Sequence, residues 1–162
     1  MKSSKKIPVN YLKNPIHFLA LGFGSGLMPK APGTFGTLAA IPLYYLLKDL
    51  SLTYYLVVVL ALSITGIAIC QYTSDKLGVH DHPGIVIDEF AGYLITMIAV
   101  PFSWLWVFIG FVLFRIFDII KPWPISWLDK KVSGGFGIMI DDVLAGIFAL
   151  AIMHLILYFN WI

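Results

Sequence analysis

Residues 52–71 read LTYYLVVVLALSITGIAICQ, a continuous apolar stretch without a single Asp, Glu, Lys or Arg. An α-helix rises about 1.5 Å per residue, so about 20 such residues are needed to cross a hydrocarbon layer ~30 Å thick. The stretch has this length and predicts a membrane-spanning helix. A polar segment, residues 72–87, follows it, so we expect the chain to leave the membrane there.

The composition of the whole chain agrees with a membrane protein. The 162 residues are 59% hydrophobic and 12% charged, with a mean hydropathy of +0.87, whereas soluble proteins contain about 25% charged residues. We therefore predict an all-α fold, a small polytopic membrane helical bundle with about four or five hydrophobic segments. The length leaves no room for a separate soluble domain, so residues 1–162 are predicted to form a single membrane-embedded domain. A net charge of +2, with scattered basic residues, argues against nucleic acid as a partner.

Breaks in the apolar pattern define the other predicted helices. A Pro-Phe-Ser turn at residues 101–103 separates two apolar arms, which predicts a helical hairpin. The first 15 residues are basic and are predicted to lie at the membrane surface or to remain partly disordered. Besides the helix at 52–71, the predicted helices cover approximately residues 34–47, 90–100, 104–117 and 142–159.

The distribution of Lys and Arg predicts the orientation of the bundle, because cytoplasmic loops carry an excess of these residues. With the basic N-terminal segment inside, the outer loops are residues 48–51 and 101–103, and Lys48 is their only basic residue. The inner loops, residues 72–87 and 118–140, hold most of the polar side chains. We predict a multi-pass membrane protein whose functional groups face the cytoplasm.

Five carboxylates form three tight groups where apolar segments begin or end. Ionised groups at the edge of hydrocarbon are costly unless they have partners, so their gathering predicts a metal site. An acid that begins a helix can instead be a simple cap, whereas an acid at a helix C-terminus is unfavourable with the helix dipole. The first and last groups are predicted to begin helices, and the middle one ends a helix. The groups are Asp88-Glu89, Asp118 and Asp141-Asp142.

Arg115 lies three residues before Asp118, on the same helix face, and this spacing permits an ordinary ion pair. A guanidinium group also matches phosphate oxygens in a bidentate manner, so an anionic phosphoryl substrate is the functional alternative. Carboxylate ligands without nearby cysteines favour Mg²⁺ over zinc.

Two further stretches contain candidate site residues. Residues 29–37 combine glycines, hydroxyls and a predicted helix N-terminus, which suits an anion cradle, although a kinked loop explains the pattern equally well. The polar loop after residue 71 offers possible acid, base or metal-binding groups, or only a surface cluster. The candidates are Lys30, Gly33, Thr34 and Thr37 in the first stretch and His80, Asp81 and His82 in the second.

Three long motifs resemble one known family. They are GFGSGLMPKAPGTFGTLAAIP at 22–42, HDHPGIVIDEFAG at 80–92 and FRIFDIIKPWPISWLDKKVSGGFGIMIDDVLAG at 114–146. In this order they resemble the phosphatidylglycerophosphatase A family over most of the chain. The resemblance implies a bacterial inner-membrane, Mg²⁺-dependent phosphatase that converts phosphatidylglycerophosphate to phosphatidylglycerol and phosphate.

The residues and the resemblance together predict a catalytic site at the cytoplasmic membrane surface. The five carboxylates hold one or two Mg²⁺ ions, and Arg115, with Lys30 and Lys121, binds the terminal phosphate while the acyl chains stay in the lipid bilayer. An ion-coupled transporter would place its acids near the membrane midplane, and a scaffold would use acids only as helix caps. The sequence leaves open the number of metal ions, the nucleophile, the selectivity among lipid phosphates and the oligomeric state.

Overall fold

The computed structural model describes residues 6–159, so Lys2 and Lys5 of the basic N-terminal segment lie outside the described residues. The regular elements found in this part of the chain are all helices, with no β-strand, which confirms the predicted all-α class. Two short 3₁₀ helices cover Val9–Lys13 and Gly22–Leu27. The α-helices are α1 (Pro15–Ala20), α2 (Pro32–Leu47), α3 (Leu52–Leu77), α4 (Ile87–Thr96), α5 (Trp104–Ile120), α6 (Ile125–Lys131) and α7 (Gly134–Tyr158).

Two of the described helices, α3 and α7, are long and apolar enough to cross a membrane, with 26 and 25 residues. This is fewer than the four or five hydrophobic segments of the sequence prediction. The other apolar helices, α2, α4 and α5, have 16, 10 and 17 residues, which is short of the about 20 that a full span requires. Part of the apolar sequence therefore packs the helices of the bundle against one another.

Helix α4 forms the centre of the bundle, and all ten of its residues are buried. It packs closely against α7 where two glycines face each other, since a Cβ atom on Gly146 would overlap the carbonyl oxygen of Gly92. The hydroxyl of Thr96 donates a hydrogen bond to the Gly92 oxygen at 3.0 Å, so the polar group stays satisfied inside the core. This contact brings the start of α4 alongside the first turns of α7.

Helix α7 begins earlier than the sequence predicted. It starts at Gly134, so Asp141 and Asp142 lie about two turns inside it, and the prediction that they begin the last helix is wrong. The first amides of α7 bind acceptors from other elements: Nε2 of His80 accepts from the Gly134 N–H, and Oε1 of Gln71 accepts from the Gly135 N–H, both at 2.7 Å. These long-range caps stabilise a helix start that local glycine propensity opposes.

Other helix boundaries also differ from the sequence prediction. Helix α3 continues to Leu77, where Gly78 ends it in the left-handed conformation, so the polar loop is shorter than predicted. The short helix α6 lies within residues 118–140, which were predicted to be a loop. The predicted Pro-Phe-Ser turn at 101–103 lies in the connection between α4 and α5, but this connection begins at residue 97, because α4 ends at Thr96 and not at about residue 100.

If α3 crosses the membrane, its two ends must be reached by reagents from opposite sides. We expect a cysteine at position 76 in a Cys70→Ala background to react with an impermeant maleimide only from the cytoplasm, and one at position 50 only from outside. Both positions are exposed, at or just beyond the ends of the helix. Labelling of right-side-out and inverted vesicles checks this, and reaction of both positions from one side would contradict the spanning assignment.

Candidate functional site

A pocket of about 320 Å³ lies at one end of the bundle. It is formed by the N-terminus of α2, the loop after α3, the start of α4, the end of α5 and the second and third turns of α7. These ends lie together because successive helices run in alternating directions. The charged residues of its lining are Asp81, Asp88, Glu89, Arg115, Asp118, Lys121, Asp141 and Asp142. The structure thus brings all five predicted metal-binding carboxylates to one pocket.

Asp88, Glu89 and Asp142 form the deepest part of the pocket, and each is less than a tenth exposed. Their carboxylate oxygens can be chosen so that one from each residue lies within 4.8 Å of the others. Burial, followed by the charge of Glu89, raises the pKa of Asp88 well above its usual range, and burial raises the pKa of Glu89 to about 8. Both groups lie outside the two candidate membrane-spanning helices. Their ionised forms need a nearby cation.

Several buried polar atoms of the pocket have no hydrogen-bond partner among the described residues. They include Oε2 of Glu89 and Oδ2 of Asp142, which belong to the cluster of three, and Oδ1 of Asp141. A buried polar atom without a partner costs about 1–3 kcal/mol, and more when it is charged. A divalent cation would satisfy these oxygens, and a set of hard carboxylate ligands suits Mg²⁺. The residues present therefore fit the predicted metal.

Arg115 contacts three parts of the site with its guanidinium group. Its Nη1 atom lies 2.6 Å from Oδ2 of Asp118 and 3.9 Å from Oε1 of Glu89, and it donates to the Thr37 hydroxyl at 3.4 Å. The ion pair with Asp118 exists, and it lies in the pocket lining and not at an exposed helix end. The Nε atom of Arg115 is buried without a partner in the described structure. The guanidinium can thus bind a further anionic oxygen.

The residues of the predicted anion cradle separate into two groups. Gly33 lines the pocket, and Thr37 is buried beside it, donating its hydroxyl to the Gly33 oxygen at 3.0 Å. Lys30 and Thr34 are not among the lining residues, and Lys30 is exposed. The helix α2 begins at Pro32, so the positive end of its dipole points towards the pocket.

Lys121 brings a second cation into the pocket. It ends α5 in the left-handed conformation, with φ 46°, and its Nζ atom lies 2.7 Å from Oδ2 of Asp141 and 2.8 Å from Oδ1 of Asp129. Burial lowers the pKa of Lys121, but these two carboxylates outweigh burial and the net pKa is raised. The ammonium group stays charged at neutral pH. Sequence reasoning missed Asp129 because α6, which carries it, was read as loop.

The polar triplet after α3, residues 80–82, also contains residues that line the pocket and residues that do not. Asp81 lines the pocket and has a positive φ of 49°. Neither histidine lines it: His80 caps α7, and Nδ1 of His82 accepts a hydrogen bond from the Gly84 N–H at 3.0 Å. The proposed role of this triplet in acid–base chemistry or metal binding stays a prediction.

Comparisons with known proteins point to one family. The family model described as phosphatidylglycerophosphatase A matches residues 18–157. Proteins of that name from Escherichia coli K12 and Haemophilus influenzae are 51% and 50% identical, over 90% and 91% of this chain and 85% and 91% of their own lengths. A relative from Bacteroides thetaiotaomicron, provisionally named a phosphatidylinositol-3-phosphatase, is 40% identical over 81% of this chain and 86% of its own length. No solved structure matches the chain.

The tight fit of Gly33 yields a test of the pocket geometry. A Cβ atom at this position would overlap Oε1 of Glu89 and lie 3.2 Å from both terminal nitrogens of Arg115. We expect Gly33→Ala to displace one of these groups and to reduce activity by about tenfold or more, since small displacements of catalytic groups are costly. Phosphate release together with a thermal melt checks this, and an unchanged rate would show that neither group needs its present position.

Proposed function

Because the chain belongs to the phosphatidylglycerophosphatase A family, we propose that it hydrolyses phosphatidylglycerophosphate to phosphatidylglycerol and inorganic phosphate at the membrane surface. Family membership confirms the resemblance predicted from the three motifs, which also lie within the matched residues. The structural observation that carries the proposal is a pocket lined by six carboxylates, one arginine and one lysine. Such a group of side chains suits phosphoryl chemistry better than it suits a helix scaffold.

The charges of the pocket support the proposed dependence on Mg²⁺. Six carboxylates and only two cationic side chains line the pocket. When these carboxylates are ionised and no metal ion is bound, the lining would repel an anionic phosphate. We propose that Asp88, Glu89 and Asp142 hold the metal, with Asp118 and Asp141 adjacent to them. When bound, Mg²⁺ neutralises charge on the phosphoryl oxygens and lowers the pKa of a coordinated water.

The two cationic side chains have separate proposed roles. Arg115 binds the terminal phosphate through its guanidinium, and Asp118 holds that group in position through the 2.6 Å ion pair. Lys121 places its ammonium group next to Asp141. Both cations are tethered to carboxylates before substrate arrives, so little reorganisation is needed when charge develops in the transition state. Asp81, which also lines the pocket, is a further candidate metal ligand.

The proposed location is the cytoplasmic face of the bacterial inner membrane. The pocket lies at the same end of the bundle as the C-terminus of α3, and the loops at that end carry most of the basic residues. An ion-coupled transporter would need its carboxylates near the middle of the spanning helices. Here the acids of α4 and α5 are confined to the first and last turns of those helices, and Asp141 and Asp142 lie about two turns from the N-terminus of α7 and not at its middle, which favours an enzyme.

The metal proposal predicts the effect of removing single ligands. Asp142→Asn and Glu89→Gln should each reduce phosphate release by at least about 100-fold, because each removes a charge that acts on the reacting group. Both variants should remain folded, since the substitutions are isosteric and remove buried negative charge. Asp49→Asn, at the opposite end of the molecule, is the control and should keep full activity. Full activity of the wild type in excess chelator would contradict the metal role.

A second prediction separates phosphate binding by Arg115 from a purely structural ion pair. Arg115→Lys keeps the charge but loses the planar fork, so we expect kcat/KM to fall roughly 30-fold to 150-fold. The melting temperature should change little, because the lysine can still pair with Asp118. The rate is measured on detergent-dispersed lipid alongside the melt. Wild-type turnover in this variant would remove Arg115 from the proposed site.

A further inference from the structure

The opening of the pocket can be located from the exposure of its lining. Of its lining residues, only Ala31 and Ile119 are exposed, and Ile119 is 67% exposed. Ala31 immediately precedes α2, and Ile119 lies in the last turn of α5. The opening, which we call the mouth, therefore lies between the start of α2 and the end of α5.

Apolar side chains flank the mouth on both sides. Near the start of α2, Met28 and Phe35 are 40% and 38% exposed. At the end of α5 and just after it, Ile120 and Trp123 are 69% and 79% exposed. A charged pocket with an apolar entrance suits an amphiphile whose polar head enters and whose hydrocarbon part stays outside. A small water-soluble phosphate would gain nothing from such flanks.

Lys30 is the cation at this entrance. It directly precedes Ala31, it is exposed, and among residues 6–159 it has no hydrogen bond or ion pair. Arg115 and Lys121, in contrast, are already paired with carboxylates inside the pocket. The positive end of the α2 dipole lies next to Lys30 and adds to the attraction for an anion. The mouth thus carries a lysine and a helix N-terminus that are separate from the two paired cations of the pocket.

The proposed substrate carries two phosphates, a terminal monoester and a diester joined to it through glycerol. The monoester must reach the buried carboxylates, so the diester is left nearer to the bilayer. We infer that Lys30 binds the diester phosphate at the mouth, while the acyl chains lie against the exposed apolar side chains of Ile119 and Ile120. This inference rests on the proposed function, and it replaces the sequence prediction that Lys30 binds the terminal phosphate.

The consequence is a division of selectivity between two subsites. The pocket recognises a phosphomonoester, and the mouth recognises a second, lipid-linked phosphate. Two inhibitors report on the subsites separately: inorganic phosphate can occupy the pocket, whereas phosphatidylglycerol carries only the diester and can occupy only the mouth.

The test compares Lys30→Gln with the wild type in mixed micelles. We expect KM for phosphatidylglycerophosphate and the inhibition constant of phosphatidylglycerol to rise about threefold to tenfold, as for loss of one exposed charge contact. The inhibition constant of inorganic phosphate and kcat should change by less than about twofold. Lys130→Gln is the matched control, because Lys130 is exposed on α6 and does not line the pocket.

Three results would overturn the inference. Weaker inhibition by inorganic phosphate, with inhibition by phosphatidylglycerol unchanged, would place Lys30 at the terminal phosphate. Unchanged constants for both would remove Lys30 from substrate binding, and an equal effect of Lys130→Gln would show a general attraction to the anionic micelle surface. Binding of phosphatidylglycerol to the two proteins, measured by native mass spectrometry, makes the same comparison without turnover. A wild type that binds this lipid through Lys30 but releases no phosphate would refute the proposed function and leave the mouth assignment standing.

Discussion

The close contact between α4 and α7 is the constraint on which the site depends. At Gly92 and Gly146 the two helices pack backbone to backbone, and no side chain could be inserted between them. The same contact sets the start of α4 beside the inner turns of α7, so that Asp88 and Glu89 meet Asp142. Carboxylates repel each other, so apolar packing along the rest of α4 has to hold them together. Small residues at the helix contact are therefore as important for the site as its acids.

The cost of this arrangement explains the distribution of charge around it. Burying ionised carboxylates without compensation costs several kcal/mol each, which is a large fraction of the stability of a small protein. Arg115 and Lys121 compensate part of the charge, and each is paired with a carboxylate of its own. Within residues 6–159, no protein group donates a hydrogen bond to Oε2 of Glu89 or Oδ2 of Asp142, so the charge of these buried oxygens is not compensated there. A bound cation would contribute both to function and to folding stability.

Sequence patterns predicted the composition of the site better than its geometry. The apolar runs identified the longer helices, and the acids beside those runs identified five carboxylates that line the pocket, although Asp141 and Asp142 lie inside α7 and not at its start. Three features depended on contacts between distant residues and could not be predicted. Gln71 and His80 cap α7, whose start lies at Gly134. Helix α6 brings Asp129 to Lys121. Ala31 has a left-handed conformation just before α2, and the preceding Lys30 does not line the pocket. Local propensity carries no information on such contacts.

The short helices connect the architecture to the chemistry. A helix that spans the bilayer fully would place both of its ends in water, whereas α2 and α5 are too short for this. Helix α2 begins at the mouth, and α5 ends there. Their ends leave the apolar side chains of Phe35 and Ile120 exposed beside a polar pocket. A lipid phosphate presents the same order of groups, with hydrocarbon next to an anionic head. The helix lengths thus place an apolar surface beside a charged pocket, in the same order as the hydrocarbon and head group of a membrane lipid. Under the proposed function, the substrate would not need to leave the bilayer to reach the carboxylates.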